Sequence, residues 1–264
     1  EQGQLTDELK HKIHKATTLQ ELEDIYLPYK PKKRTRATKA REKGLEPLAK
    51  ILMKQAETEP KLKAEEFLNE EVSNEEEALQ GARDIIAEWI NENQRARAQI
   101  RNLFHKNAQM ESKVAKEKKE EGEKYKDYFE WTELLRKCPS HRYLAITRGE
   151  KEGILKVKIE PEKEDALEIL GNLFLRGNNA SSEQVKVATE DSYKRLIAPS
   201  MENELKSYYK EKADDEAIRV FADNLRQLLL APPLGPKRIM AIDPGYRTGC
   251  KVVCIDEQGN LLYN

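Results

Sequence analysis

Cysteine is scarce: Cys138, Cys250 and Cys254 are the three in 264 residues, and no CxxC spacing joins them. That supplies neither a disulfide framework nor a zinc-ligand set, and the three read as small buried thiols. Long apolar runs are missing too. None approaches the roughly 20 residues of a membrane span, and the N-terminal segment lacks the apolar region of a signal peptide. A reducing, cytoplasmic location with no membrane partner is therefore expected. Neither sign of charge dominates, with 47 Lys and Arg against 48 Asp and Glu. Any affinity for nucleic acid must then come from local clusters and not from a global field. No GxGxxG occurs, and Gly245 and Gly249 are too few and wrongly spaced to cradle a phosphate, so nucleotide hydrolysis has no support. No repeat of fixed period is present, which argues against a solenoid.

What the chain does have is charge, 36% of residues against 38% apolar, the balance of long helices with a large solvated surface. Helical spacing of Leu5, Leu9, Ile13 and Ala16 predicts a first helix; its His11 and His14 share a face without further metal ligands nearby. Thr18 and Glu21 form a capping box. Pro28 and Pro31 then predict an extended path. From Lys30 to Lys43 stand Lys30, Lys32, Lys33, Arg34, Arg36, Lys39, Arg41 and Lys43 against Glu42, a local charge of +7 (eight cations less one acid). With Tyr26 and Tyr29 beside it, such a cluster suits phosphate contact and base stacking. It equally suits ion pairing with acids elsewhere in the fold, and both readings stay open.

Downstream, residues 75–109 keep the 3.6 period, with a break expected at 91–94 and Arg95, Arg97 and Arg101 decorating the second half. Residues 110–129 are almost wholly charged and read as an exposed helix, followed by an aromatic knot of Tyr125, Tyr128, Phe129 and Trp131 and a short docking helix that Pro139 ends. Two β-rich runs, 143–147 and 154–159, joined by a segment with Gly149 and Gly153, predict a β-hairpin. His141, Arg142 and Arg148 flank it. They could grip a phosphate through guanidinium forks or anchor the hairpin through carboxylates, and no nucleophile stands near His141 for hydrolytic work. Residues 164–230 return to helix, and the prolines at 232, 233 and 236 predict a stiff linker and a domain boundary near 236. Beyond it, Ile239, Ala241 and then Cys250, Val252, Cys254 alternate across DPGYRTG, and Leu261–Tyr263 follow a second turn, which predicts three antiparallel strands. Asp243 would project from the end of the first, open to a cation or a phosphate, or serve as a turn residue before Pro244.

Several strings, in order, carry a family resemblance: LEDIYLPYKPKKRTRATKAREKGLEPLA, PSHRYLAITRGE, FADNLRQLLLAPPLG and AIDPGYRTGCK. Together they resemble the Tex family of transcription accessory proteins, and the last resembles the opening of its YqgF-type, RNase-H-like domain. The resemblance implies a mainly α fold, a multi-helix scaffold over 1–236 with one small β-hairpin, and over 237–264 the first strands of an α/β RNase-H-like domain. It implies nucleic acid as partner, RNA in preference to DNA and mainly through an S1 domain outside this chain, with RNA polymerase or other transcription proteins as further partners. Candidate nucleic-acid contacts are Lys32, Lys33, Arg34, Arg36, Lys39, Arg41, His141, Arg142, Arg148 and Arg247. RNase-H-like nucleases hold two metal ions about 4 Å apart on several carboxylates, and Asp243 matches the first of these. Asp256 cannot be the second, since at about 3.3 Å per residue it lies roughly 20 Å up the partner strand. The site residues therefore make no complete catalytic set: the chain is not expected to be an enzyme or to hold a cofactor, and magnesium could enter only in an intact protein of the resolvase type.

Overall fold

The computed structural model describes residues 5–31, 33–245 and 249–264. The chain divides into two compact units, Glu1–Asp214 and Asp215–Asn264. In the first, helices α1 (Asp7–Lys15), α2 (Leu19–Tyr26), α3 (Arg36–Glu42), α4 (Glu46–Lys54), α5 (Pro60–Glu65), α6 (Glu75–Asn91) and α7 (Gln94–Asn107) precede a small sheet. Their starts are set by side chains that accept an otherwise unpaired amide of the first turn: Thr6, Thr18, Thr35, Asn74 and Asn93 cap α1, α2, α3, α6 and α7. Asn93 also explains the break expected at 91–94, because a capped new start is favoured over a continuous helix there.

Helix α6 is the axis of the core. Its Ala78, Leu79, Ala82, Ile85, Ile86 and Ile90 are fully buried beneath α3, α4, α5 and α10 (Ala180–Ser192), and each large aliphatic side chain so buried is worth about 1.5–3 kcal/mol. Gly81 lets α6 approach closely: a β-carbon there would sit 2.3 Å from Leu45 Cδ1 and 3.3 Å from Ala40 Cβ.

Strands β1 (Gln109–Val114), β2 (Glu130–Leu134) and β3 (Leu155–Glu160) form an antiparallel sheet in the order β2-β1-β3. This relocates the predicted hairpin. Residues 143–147 are not a strand but part of α8 (Ser140–Lys151), and β3 pairs with β1, which the charge of 110–114 had disguised as helix. A five-residue apolar run fits either element. Helix wins because Tyr143, Ile146 and Gly149 fall on one buried face. The two glycines have other roles. Gly149 admits β3, since a β-carbon on it would meet Leu155 Cδ1 at 2.6 Å, and Gly153, at φ +72°, takes the left-handed turn after the helix end. In β1, Met110 and Ser112 point inward, and the Ser112 hydroxyl donates to the Tyr128 carbonyl at 2.8 Å.

Helices α9 (Lys163–Phe174), α10 and α11 (Ala198–Leu229) follow, as the periodicity of 164–230 predicts. A π-helical turn, Tyr193–Ile197, joins α10 to α11 without a break, and Pro199, which has no N–H to donate to the preceding turn, follows it directly. One buried carboxylate joins three helices here. Asp24 of α2 accepts from Arg97 at 2.5 Å and pairs with Arg101 at 2.8 Å, both on α7. Arg97 donates on to Ser200 at 3.0 Å and Arg101 to Glu204 at 2.5 Å, both on α11. Arg97 and Arg101 are thus interior struts and not the surface decoration expected of them.

The second unit carries an antiparallel sheet, β4 (Ile239–Gly245), β5 (Gly249–Ile255) and β6 (Leu261–Tyr263), in that order, with Ile239 opposite Ile255 and Asp243 opposite Lys251. The expected three strands are present. Cys250 is exposed and Cys138 and Cys254 are half-buried, so the cysteines are not the core thiols expected.

Two substitutions test this packing by urea unfolding. Asp24→Ala leaves two arginines buried without their shared acid and should cost about 3–5 kcal/mol. Gly81→Ala gains about 1 kcal/mol of helix propensity but forces Leu45 from a filled site, so a net loss of about 1–2 kcal/mol is expected.

Candidate nucleic-acid interface

The basic segment divides into cations that are spent and cations that are free. Thr35 caps α3 through the Thr38 amide at 3.0 Å and its hydroxyl donates to Glu88 at 3.1 Å. The same buried Glu88 takes Arg41 at 3.0 Å, with Glu46 also within 3.8 Å of that guanidinium. Lys43 reaches Glu77 at 2.6 Å and the Glu71 carbonyl at 2.7 Å; the hydrogen bond to Glu77, before any other cause, holds that carboxyl below its usual range. Arg34 pairs with Glu42 at 2.9 Å, both in solvent. Lys33, Arg36 and Lys39 are exposed, and among the described residues none of them has an ion pair. Arg36 and Lys39 lie three apart on α3, hence on one side of it.

Just before them in the chain Tyr26 and Tyr29 are 48% and 37% exposed, open enough to stack on a planar group. Lys32 lies outside the described residues. Arg36 also faces α6: burial raises the Asp84 carboxyl, and the Arg195 and Arg36 guanidinia pull it down.

On α8 the three sequence candidates part company. Arg142 is spent, 2.6 Å from Glu133 of β2 and stacked 5.6 Å over the Trp131 ring. His141 and Arg148 are exposed and seven residues apart, two helical turns, so they share one face. The structure thus brings the α3 cations together and splits the α8 set. Sequence reasoning missed Glu88, whose carboxylate decides which cations of the basic run are consumed. It lies some fifty residues from Thr35 and Arg41, and no local pattern announces that pairing.

Asp243 is exposed on β4, opposite Lys251. Asp256 is held elsewhere, accepting the Gln258 and Asn260 amides at 2.9 and 2.7 Å in the turn after β5. Since Ile255 pairs with Ile239, Asp256 lies toward the opposite end of β4 from Asp243. Among the described residues no group of three His, Cys, Asp or Glu could hold a metal, so a two-metal centre does not fit the residues described. Arg247 lies outside the described residues.

Two family models match the chain: a Tex central region over residues 55–221 and a Tex protein YqgF-like domain over residues 237–264. The chain belongs to the Tex family. This Tex chain is 43% identical over 267 residues to "Uncharacterized protein YdcI" of Bacillus subtilis, covering 99% of itself and 37% of that protein. To "Transcriptional accessory protein Tex" of Neisseria gonorrhoeae it is 38% identical over 272 residues, covering 99% of itself and 35% of that protein. It is 30% identical over 281 residues to human "S1 RNA-binding domain-containing protein 1", covering 99% of itself and 28% of that protein. The Tex chain therefore spans little more than a third of the length of the bacterial relatives. Among its described residues no helix is long and apolar enough to cross a membrane.

The ion-paired Arg142 has a chemical reporter in Cys138. Burial, and then the Glu133 carboxylate, push the Cys138 thiol up to about 11, while Arg142 opposes them. Alkylation followed by mass spectrometry near neutral pH should label exposed Cys250 well before Cys138. The Cys138 rate should then climb about tenfold per pH unit until about pH 11, since the thiolate is the nucleophile.

Proposed function

We propose that this chain is a scaffold within a nucleic-acid-binding transcription accessory factor, without a complete catalytic site of its own. Its partner is RNA in preference to DNA, met chiefly by parts of the protein beyond these residues, and transcription proteins dock on its helical faces. The family supports the general role, and two relatives carry it in their names: one is a transcriptional accessory protein and one contains an S1 RNA-binding domain. The observation that carries the reading is that Lys33, Arg36 and Lys39 are exposed with no ion pair among the described residues, in the stretch of chain that follows two exposed tyrosines. A basic run kept only for structure would leave few of its charges unpaired; here Arg41 and Lys43 are paired, Lys33 and Lys39 are exposed without an ion pair among the described residues, and Arg36 is exposed near Asp84. Exposed cations beside open aromatic faces are what a single strand meets, phosphate by phosphate, with counterion release as the driving term.

A resolvase-type nuclease is a second reading for the intact protein, and Asp243, exposed at a strand of the YqgF-like segment, is what favours it. A lone carboxylate holds no metal pair, so accessory binding is preferred.

Titration of the chain with single-stranded RNA at increasing salt tests the choice. Affinity should fall with salt, and replacing Lys33, Arg36 and Lys39 together by Gln should reduce the slope of log K against log salt by about 2, at about 0.7 for each phosphate no longer neutralised. A variant that binds with the parent's slope would remove α3 from the interface. Magnesium-dependent cleavage by the full-length protein, abolished in Asp243→Asn, would favour the nuclease.

A further inference from the structure

A second surface combines open rings with unspent cations, away from the basic run. At the last turn of α7, His105 meets Tyr208 of α11 edge to face, with centroids 5.4 Å apart. Tyr208 meets Tyr209 in the same way at 5.3 Å, and Tyr209 leans on Tyr143 of α8 at 6.1 Å. The inner end of this series is fixed: Tyr143 is buried and its hydroxyl donates to the Lys206 carbonyl at 2.8 Å. The outer end is not, for Tyr208 is 50% exposed.

Cations frame it. The Lys212 ammonium stands 5.8 Å from the Tyr209 ring. Burial raises the Tyr209 phenol while the Arg136 guanidinium is close enough to draw it down. Lys106 follows His105 in the chain, Lys137 follows Arg136, and all four cations are exposed. Among the described residues none of the four has an ion pair. The acids of this region are engaged: Glu204 with Arg101, Glu150 with Lys206, and Asp214 with Lys210. In the stretch of α11 from Glu204 to Asp214, the exposed Glu211 alone lacks a pair among the described residues.

The geometry points to a stacking platform for unpaired RNA, in which a base lies on the open face of Tyr208 and Lys106, Arg136, Lys137 and Lys212 meet the flanking phosphates. A preordered ring loses little freedom when a base stacks on it, and every base offers a π-face, so the contact tolerates sequence. A duplex keeps its base faces inside, which makes the single strand the fitting ligand. The exposed groups are aromatic and cationic with no aliphatic patch among them, which suits a polyanion with flat bases better than a protein surface.

The inference rests on the nucleic-acid reading above, and the experiment separates the two. Anisotropy of a fluorescein-labelled oligouridine is followed on the 264-residue chain and on four variants. Tyr208→Leu keeps an apolar side chain and loses the ring, and should weaken binding about tenfold, a stacked base being worth about 1–3 kcal/mol. Tyr208→Phe keeps the ring and should bind within about twofold of the parent. Arg136→Gln with Lys137→Gln, on the surface and outside every ion pair among the described residues, should reduce the salt slope by about 1.4. The Lys33, Arg36 and Lys39 triple replacement is the fourth variant. If it weakens binding while Tyr208→Leu and the Arg136 and Lys137 pair bind as the parent does, the platform is wrong and the wider reading survives. Equal losses in Tyr208→Leu and Tyr208→Phe overturn stacking as the contact. An oligouridine that the parent chain does not bind overturns the platform together with the α3 contact.

Discussion

The helical frame depends on one buried anion. Asp24 sits at 4% exposure between two arginines of the neighbouring helix, and a carboxylate there is tolerable only because two guanidinia replace the water it has lost. The arginines are in turn bound to their positions by what they reach on the far side, Ser200 and Glu204. The result is directional in a way that apolar packing is not. Leucines can slide past one another, whereas a carboxylate gripped through both oxygens fixes the rotation of α2 against α7 and of α7 against α11. The exposed tyrosines at the end of α2 and the ring pair between α7 and α11 are both held by helices that this network orients.

The same principle sorts the rest of the charge. With cations and acids nearly equal in number, the chain has no field to steer a polyanion from a distance, and what matters is which charges the fold consumes. Glu88 illustrates it: buried itself, it gathers Arg41 and the Thr35 hydroxyl, and in doing so pins α3 to α6 with Lys39 left exposed. A structural ion pair and an exposed cation are here two faces of one short helix. That is why ion pairing takes some residues of the run and not others: Arg41 and Lys43 are paired, while Lys33 and Lys39 stay exposed without an ion pair among the described residues.

Much of the frame was legible. The amphipathic periods gave α6, α7 and the 164–230 helices, and Asn93 stood in the sequence at the break. The alternation around DPGYRTG gave the terminal strands. What misled was local composition read without partners. Residues 109–114 are charged on the outward side and bury only Met110 and Ser112, too sparse an alternation to outweigh their helical charge pattern. The 143–147 run looked like a strand because Tyr, Ile and Thr favour one; burial of Tyr143 and Ile146 on one helical face decided otherwise, a tertiary effect absent from any five-residue window. Gly149, a turn residue by local pattern, is a close-contact residue in the fold. In each case the missing information was the identity of a neighbour distant in sequence.

That limit bears on Asp243 as well. Its position on a strand could be read from alternation, yet a carboxylate becomes a catalytic ligand only when others converge on the same point. The antiparallel register carries the nearest candidate away: Asp243 faces Lys251 while Asp256 follows the residue opposite Ile239, and Asp256 spends both oxygens on its own turn. Convergence has to come from elements that bring acids to the Gly245 end of β4, and the described strands bring a lysine there instead. A cation facing an exposed acid lowers the local negative potential that would attract a metal, and it leaves the strand end better disposed to a phosphate. In this register the Gly245 end of β4 carries an acid opposite a base, and the described strands add no second carboxylate beside it.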